Sequence, residues 1–260
     1  MNRVCLETQD LCIGYHACSQ RKPVASEINL QLYSGRLTCL IGANGIGKST
    51  LLRTLAGLQK PLKGNVIIDD TPMTQFSAQE LARKISIVLT DQSHPGNLQV
   101  DQVVGLGRLP YTNWLGSLSE HDKLIVIESL GKTNALHLTK RGFGELSDGE
   151  RQKVMIARAL AQEPEVMILD EPTAYLDWPN RVDLLMNLKS IAKDTNKTIL
   201  ISSHDLDLVL QIADQIWLMD FQKPIICGNG PDLIKDGALE NVFSSPHGRF
   251  DASRGGFRIS

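Results

Sequence analysis

The sequence predicts an α/β fold in which parallel strands are buried on both faces. The apolar run RLTCLIG, residues 36–42, ends in glycine and predicts a strand. After a short loop, STLLRTLAGL at 49–58 has the apolar spacing of a helix. Further along, EVMILDEP and KTILISSHD are apolar runs separated by the helical pattern of NRVDLLMNLKSIAKD. Strands that alternate with helices in this way are typical of parallel sheets covered on both sides.

The remaining elements suggest one domain with an insertion. GNVIIDD at 64–70 and ISIVLT at 85–90 predict two more strands, so the first third is rich in β structure. From about residue 93, amphipathic stretches with Gly, Pro and aromatic residues replace the β-branched runs. We therefore expect a single domain at 1–245, a helical subdomain inserted at about 93–160, and a C-terminal tail at 246–260.

Composition narrows the class of protein. The 260 residues are 42% hydrophobic, which is enough to build a core, and the net charge of -2 provides no broad basic field for nucleic acid. The five cysteines are scattered and contain no C-x-x-C pair, which argues against a disulfide framework or a zinc site. Glu7 and Asp10 interrupt the N-terminal stretch where a secretory signal needs an apolar core, and no apolar run has membrane-span length. We expect a cytosolic chain with free thiols and a local anion site.

GANGIGKST, residues 42–50, fits the pattern G-x-x-x-x-G-K-S/T between a predicted strand and a predicted helix. Its glycines would let successive backbone N–H groups surround a phosphate at the positive end of the helix. Lys48 would bind the β and γ phosphates, and Ser49 would supply an oxygen to Mg²⁺. The alternative is a glycine-rich turn with a surface lysine.

Polar side chains follow two of the buried strands. Asp170 and Glu171 end the run VMILDE, and His204 follows the run that starts at Lys197. The carboxyl ends of parallel strands meet at the edge where α/β sheets bind ligands, so Asp170 could hold Mg²⁺ through water while Glu171 orients or deprotonates a water. His204 could hydrogen-bond the γ phosphate. Taken separately, the same residues could be a solvated strand end, a helix cap or a partly buried histidine.

The turn LSDGERQ, residues 146–152, precedes a predicted helix. Ser147 and Glu150 form the S-x-x-E pattern of a capping box, which would by itself explain both residues. A helix N-terminus with free N–H groups is also a phosphate site, and the chain already has one phosphate loop. A second anion site suggests a second molecule, in which two chains meet head to tail and each turn covers the γ phosphate held by the other chain.

Together these motifs resemble the ATP-binding subunits of ABC transporters, over nearly the whole chain. GANGIGKST resembles the Walker A motif of that family, LSDGERQ its signature, VMILDEP its Walker B motif with the catalytic glutamate, and SSHDL its switch histidine. AYLD at 174–177 resembles the D-loop, and Tyr15 looks like the aromatic residue that stacks on adenine.

The resemblance implies a P-loop NTPase cassette with a mainly parallel RecA-like core, an N-terminal antiparallel β region and an inserted helical subdomain. It implies an ATPase that uses ATP and Mg²⁺, pairs with a second copy of itself and serves transmembrane permease subunits, and indirectly a substrate-binding protein, at the cytoplasmic face of the cell's inner membrane. The implied catalytic residues are Glu171, His204 and Gln92. The implied nucleotide-binding residues are Tyr15, Gly42, Asn44, Gly45, Gly47, Lys48, Ser49, Thr50, Ser147, Gly149 and Glu150. The implied metal ligands are Ser49, Gln92 and Asp170.

The segment QVDQVVGLGRLPYTNWLG, residues 99–116, resembles the ATPases of iron-siderophore, haem and cobalamin importers, as does GPDLIKDGALENVF near the C-terminus. This implies uptake of one of those ligands, with part of the segment's surface receiving a short permease helix. The alternative for the segment is a helical core in which Tyr111 and Trp114 are buried. An alternative for the whole chain is a soluble ABC-type ATPase of ribosomes or iron–sulfur assembly; an exporter subunit also remains open.

Three motifs depart from the family pattern. Asp148 stands where the signature more often has glycine, and the D-loop begins with Ala174 and Tyr175 rather than Ser-Ala. The Q-loop glutamine could be represented by Thr90, Asp91 or Gln92, of which we choose Gln92.

Overall fold

The computed structural model describes residues 3–17, 20–90, 96–112, 116–243, 248–251 and 256–259. Gln92, Asp91 and Trp114, which the sequence singled out, lie outside these ranges. The described strands are β1 (Val4–Ala17), β2 (Gln20–Ile28), β3 (Gln31–Tyr33), β4 (Leu37–Gly42), β5 (Lys63–Ile68), β6 (Thr71–Pro72), β7 (Ile85–Val88), β8 (Val166–Leu169), β9 (Thr198–Ser202), β10 (Gln215–Met219), β11 (Ile226–Gly228), β12 (Gly248–Asp251) and β13 (Gly256–Ile259). The described α-helices are α1 (Lys48–Leu55), α2 (Ala78–Lys84), α3 (Val100–Gly105), α4 (Glu120–Lys132), α5 (Asp148–Ala161), α6 (Trp178–Thr195), α7 (Leu206–Ile212), α8 (Gly230–Lys235) and α9 (Ala238–Phe243).

The first part of the chain forms an antiparallel sheet. Its strands lie in the order β2-β1-β5-β6, and β3 also pairs with β1. This confirms the β-rich first third and the antiparallel region that the family resemblance implies.

The second sheet is the centre of the fold. Its strands lie in the order β11-β10-β4-β9-β8-β7; β10 to β7 are parallel, and β11 is antiparallel to β10. Every residue of β4, β8 and β9 is buried, as predicted for parallel strands covered on both faces.

Alternate residues of these strands pack into two different hydrophobic cores. On one face, Leu40, Ile168 and Leu200 pack with Trp217, α1 and the antiparallel sheet. On the other face, Cys39 and Leu169 pack with residues of α5, α6 and α7. The period-two alternation of a strand explains why neighbouring residues lie in separate layers.

The helices inserted between β7 and β8 have an apolar cluster of their own, built from α3, α4 and α5. The six-residue 3-10 segment Leu106–Tyr111 follows α3 directly. In it Arg108 is buried and ion-paired with Asp122 at 2.8 Å, and Tyr111 donates a hydrogen bond to the Gln162 carbonyl at 3.1 Å. The limits proposed for the subdomain and the tail stay predictions.

Near the C-terminus, β12 and β13 form an antiparallel pair, and Phe250 is buried in the core that contains α7. Cys5, Cys12, Cys39 and Cys227 are free thiols. Among the described helices, none is long and apolar enough to span a membrane.

Candidate nucleotide site

The register of the parallel sheet brings three predicted motifs to one edge. Leu40 of β4 lies beside Ser202 of β9, and Leu169 of β8 lies beside Ile201. The segments that follow these strands therefore leave the sheet at the same edge. They are the glycine-rich loop at 42–50, the Asp170–Glu171 pair and His204.

The glycine-rich loop leads directly into α1. Gly47 is the N-cap residue of that helix, with a φ of 115° and no side-chain cap. A β-carbon at this position would collide with Val24 Cγ1, and an L side chain rarely adopts that φ. Glycine is therefore required here, and the first N–H groups of α1 receive no capping side chain.

Lys48 is folded into this loop and is 5% exposed. Its Nζ donates hydrogen bonds to the carbonyls of Gly42 (2.9 Å) and Ala43 (3.1 Å). Burial lowers the pKa of Lys48 from its ordinary value, and the negative charges of Glu171 and Asp170 oppose that shift. The ammonium thus lies at the sheet edge close enough to both carboxylates for their charges to act on it.

The other predicted residues of the loop differ in exposure. Asn44 and Ser49 are exposed, whereas Thr50 is buried. The Thr50 hydroxyl shares a hydrogen bond with the hydroxyl of Tyr15 (2.8 Å), whose ring is half exposed. Tyr15 is therefore anchored to α1 while part of its ring stays accessible to a ligand.

A cavity of about 650 Å³ lies beside the loop. Tyr15, Gly45 and Ile46 line it, together with residues 22–27 and 221–224. A nucleotide base that stacks on Tyr15 could therefore enter this cavity while its phosphates reach the loop.

Asp170 is buried immediately after β8. Its N–H donates to the Val88 carbonyl (2.8 Å), and its own carbonyl accepts from Thr90 Oγ1 (3.0 Å). Its carboxylate Oδ1 accepts from the Ser202 hydroxyl (2.7 Å). Among the described residues, no donor is bonded to Oδ2, which leaves an oxygen of the type that Mg²⁺ prefers. Together with the exposed hydroxyl of Ser49, this donor set fits Mg²⁺.

Glu171 and His204 are in direct contact. His204 Nε2 lies 2.5 Å from Glu171 Oε1, and the two side chains are 41% and 29% exposed. Glu171 has a left-handed φ of 49°, which is uncommon for a residue with a side chain. The histidine can therefore orient the carboxylate of the proposed base.

The signature-like turn is a complete capping box. Ser147 Oγ accepts from the Glu150 N–H (3.4 Å), and the Ser147 N–H donates to Glu150 Oε2 (2.8 Å). The Ser147 hydroxyl also donates to Glu150 Oε2 (2.9 Å). The two bonds that the Ser147 N–H and hydroxyl donate to this carboxylate lower the pKa of Glu150, with a smaller contribution from Arg141. Ser147 and Asp148 are exposed, and Asp148 pairs with Arg151 at 3.3 Å. The capping interpretation of Ser147 and Glu150 is confirmed for the single chain.

Gly149 lies against the D-loop-like segment. A β-carbon on Gly149 would lie 3.2 Å from Leu176 Cδ2, so a side chain there would require Leu176 to shift by a few tenths of an ångström. Beside Leu176, Tyr175 is 70% exposed with a φ of 67°. Asp177 caps α6 by accepting from the Asn180 N–H at 3.2 Å. The turn of α5 and the D-loop thus meet within one chain.

Two further residues contact Asp170 at the sheet edge without being predicted to do so: Ser202 through its hydroxyl, and Thr90 through its side chain. Ser202 could have been found, because it is the last residue of a predicted strand beside the strand that carries Asp170. Thr90 was considered only as a Q-loop candidate, and Gln92, the preferred one, lies outside the described residues.

Known proteins share both the sequence and the fold. Residues 25–174 match the family model described as ABC transporter. An uncharacterized ABC transporter ATP-binding protein of Methanocaldococcus jannaschii is 40% identical over 254 residues, which are 98% of this chain and 86% of that protein. The achromobactin transport ATP-binding protein of Dickeya dadantii is 35% identical over 92% of this chain and 87% of its own length. An inward-facing structure described as a metal-chelate type ABC transporter has a TM-score of 0.79 at 29% identity, covering 93% of this chain and 89% of that chain.

Proposed function

This chain belongs to the ABC transporter family as an ATP-hydrolysing subunit, and from that premise we propose that it energises uptake of an iron chelate through a partner permease. The similarity to an achromobactin transport protein and to a metal-chelate type transporter supports the substrate class. The segment at 99–116 supports the same branch, in which haem and cobalamin are the other candidate ligands.

The observation that carries this proposal is the convergence of Lys48, Asp170, Glu171 and His204 at one edge of the parallel sheet. Lys48 and the N–H groups at the start of α1 would bind the β and γ phosphates. Ser49 and Asp170 would hold Mg²⁺, which when bound neutralises charge on those phosphates. Gln92 remains a further predicted ligand.

Hydrolysis then depends on Glu171. Its carboxylate would orient or deprotonate the attacking water, and His204 would hold the carboxylate and hydrogen-bond the γ phosphate. Phosphoryl transfer to water needs little beyond such positioning and charge neutralisation.

A second copy of the chain would complete the site. Ser147, Gly149 and Glu150 lie at the start of α5, where Ser147 is exposed, and they would contact a phosphate only when a partner presents it. We propose that ATP closes two copies head to tail, that closure moves the permease docked at the cytoplasmic face of the membrane, and that hydrolysis reopens the pair.

The test is the variant Glu171→Gln with exposed Glu128→Gln as its control. Glu171→Gln should bind ATP, hydrolyse it on the order of a hundred-fold or more slowly, and form a stable dimer in Mg-ATP by light scattering. Normal hydrolysis would remove the assignment of the base. A variant that stays monomeric at high concentration with Mg-ATP would remove the shared site.

The permease is tested separately, by affinity purification from gently solubilised membranes followed by mass spectrometry. A polytopic membrane protein should accompany the chain, and its bound cargo would identify the ligand. Recovery of ribosomal or iron–sulfur assembly proteins instead would favour the soluble alternative.

A further inference from the structure

Ser202 joins the two acidic residues of the nucleotide site. It is the last residue of β9 and is completely buried. Its hydroxyl donates to Asp170 Oδ1 (2.7 Å) and accepts from the backbone N–H of Glu171 (2.8 Å). Because a serine hydroxyl has a single hydrogen, the bond to Asp170 determines its direction and leaves its lone pairs for Glu171.

The bond to Asp170 acts on the side chain, since the backbone of this residue is already held by others. Val88 and Thr90 bond to the Asp170 N–H and carbonyl. Neither of them touches the carboxylate in these hydrogen bonds. The Ser202 hydroxyl therefore selects the rotation of the carboxylate and leaves Oδ2 without a donor among the described residues.

The bond to Glu171 acts on the backbone. Glu171 adopts a left-handed φ of 49°, a conformation that persists in a residue with a side chain only when the surroundings hold it. Its N–H is directed to the Ser202 hydroxyl. The same oxygen thus supports the conformation from which the Glu171 side chain reaches His204.

Two other buried serines show that this arrangement is specific. Ser86 is buried on β7 of the same sheet, yet its hydroxyl has no hydrogen-bond partner in the described part of the chain. Ser203 is next to Ser202, but its hydroxyl accepts from the nearby Asp205 N–H (3.1 Å). Ser202 contacts both acidic residues, which neither of these serines does.

We propose that Ser202 is a positioning residue for ATP hydrolysis, whose hydroxyl aims the Asp170 carboxylate at the metal of bound Mg-nucleotide and steadies the backbone of Glu171. The proposal rests on the proposed function, because it requires a nucleotide and a metal at this edge. Hydrogen-bonded partners of metal ligands typically change metal affinity or activity by about 10–100-fold when they are removed.

The experiment compares Ser202→Ala with Ser86→Ala, which removes a buried hydroxyl from the same sheet without touching Asp170. Mn²⁺ binding in the presence of a non-hydrolysable ATP analogue is measured by electron paramagnetic resonance, and binding of the analogue in EDTA is measured by fluorescence. Ser202→Ala should weaken Mn²⁺ binding about ten-fold or more and leave metal-free nucleotide binding unchanged. Ser86→Ala should leave both unchanged.

Steady-state hydrolysis supplies a second readout. Ser202→Ala should raise the Mg²⁺ concentration for half-maximal activity and lower kcat, and Ser202→Thr, which retains the hydroxyl, should recover most of the metal affinity. If the alanine variant does not fold, Ser202→Cys replaces it in these measurements. A cysteine side chain has nearly the volume of serine but forms only weak hydrogen bonds. The cysteine variant should show the same loss of metal affinity.

A double-mutant cycle with Asp170→Asn tests whether Ser202 acts on the metal through Asp170. In that background, adding Ser202→Ala should cause little further loss of Mn²⁺ affinity, since residues that act through one another are not additive. Equal behaviour of the Ser202 and Ser86 variants, or full additivity with Asp170→Asn, would overturn the inference while leaving the proposed function intact. A wild-type chain that binds neither the analogue nor Mn²⁺ would instead contradict the proposed function.

Discussion

The N-termini of α1 and α5 are both preceded by a turn that contains a hydroxyl or a glycine suited to phosphate, but they are built differently. Helix α1 starts after Gly47, has no side-chain cap and has no acidic residue in its first turn. Helix α5 starts after Ser147, has a full capping box and carries Asp148 and Glu150 in its first turn. In the single chain, therefore, the first N-terminus is open to an anion and the second is closed by its own carboxylate.

This difference separates two tasks. On our proposal, the helix dipole and the first N–H groups, which no side chain caps, let the start of α1 bind an anion in one chain alone. The start of α5 already satisfies two of its donors through Ser147 and Glu150, and its acidic residues oppose a phosphate. We infer that the start of α1 binds nucleotide first. The start of α5 then contacts a phosphate only when a partner chain with bound nucleotide docks against it.

The largest effect is expected at α1, where Lys48→Ala removes the ammonium that is buried in the glycine-rich loop. ATP binding and hydrolysis should both fall, hydrolysis by roughly a thousand-fold, because the β and γ phosphates lose a direct charge partner. Fluorescent-nucleotide binding and phosphate release measure the two quantities. Exposed Lys60→Ala is the control, and equal activity of the two variants would break the assignment of α1 as the primary site.

At α5, Ser147→Arg should have the next largest effect, and this effect should fall on hydrolysis but not on ATP binding. ATP binding by the monomer should be preserved, whereas hydrolysis falls on the order of a hundred-fold because a bulky side chain blocks the approach of the partner's nucleotide. Nucleotide titration and sedimentation of the Glu171→Gln, Ser147→Arg double variant separate binding from dimerisation. Arginine at exposed Ser117 is the control; hydrolysis at the wild-type rate by a monomeric Ser147→Arg variant would show that α5 takes no part.

Asp148 should have a smaller influence, since its side chain is 51% exposed and paired with Arg151. Asp148→Asn removes a negative charge from the proposed γ-phosphate site and should lower the KM for ATP by about two-fold at low salt, with less effect at high salt. ATPase assays at two ionic strengths measure this. An increase in KM would indicate that Asp148 assists the helix start more than it repels phosphate.

The smallest effect concerns stability. Glu150→Ala should reduce the free energy of unfolding at pH 7 by about 0.5–1 kcal/mol through loss of the capping box. Hydrogen bonds from Ser147 hold the pKa of Glu150 below its ordinary 4.5, so this contribution is complete above pH 4.5 and is lost as the pH falls through the lowered pKa. Urea unfolding of the wild type, Glu150→Ala and Glu150→Gln at pH 7 and pH 4 tests it. A difference that grows toward acid would reverse the assignment.

Much of the fold could be predicted from local patterns. The runs that became β4, β8 and β9 are short, apolar and followed by glycine or polar residues, so both their strand character and their parallel arrangement followed from the sequence. The capping box of α5 was equally local, because it joins residues three apart. The limits of the helical subdomain and of the tail, and the choice of the Q-loop residue, remain predictions.

The sequence by itself determined which chemical groups the site contains, because the phosphate loop, the acidic pair and the histidine each depend on neighbouring residues and on a strand that ends there. Only the tertiary structure decided how those groups are held. The link from Ser202 to Asp170 joins residues 32 apart, and Lys48 is brought near the charges of Asp170 and Glu171, which follow another strand. Side-chain hydrogen bonds between separate strands depend on strand register and on side-chain rotation. Both are set by the packing of the whole sheet, so no repeating pattern in the sequence predicts them.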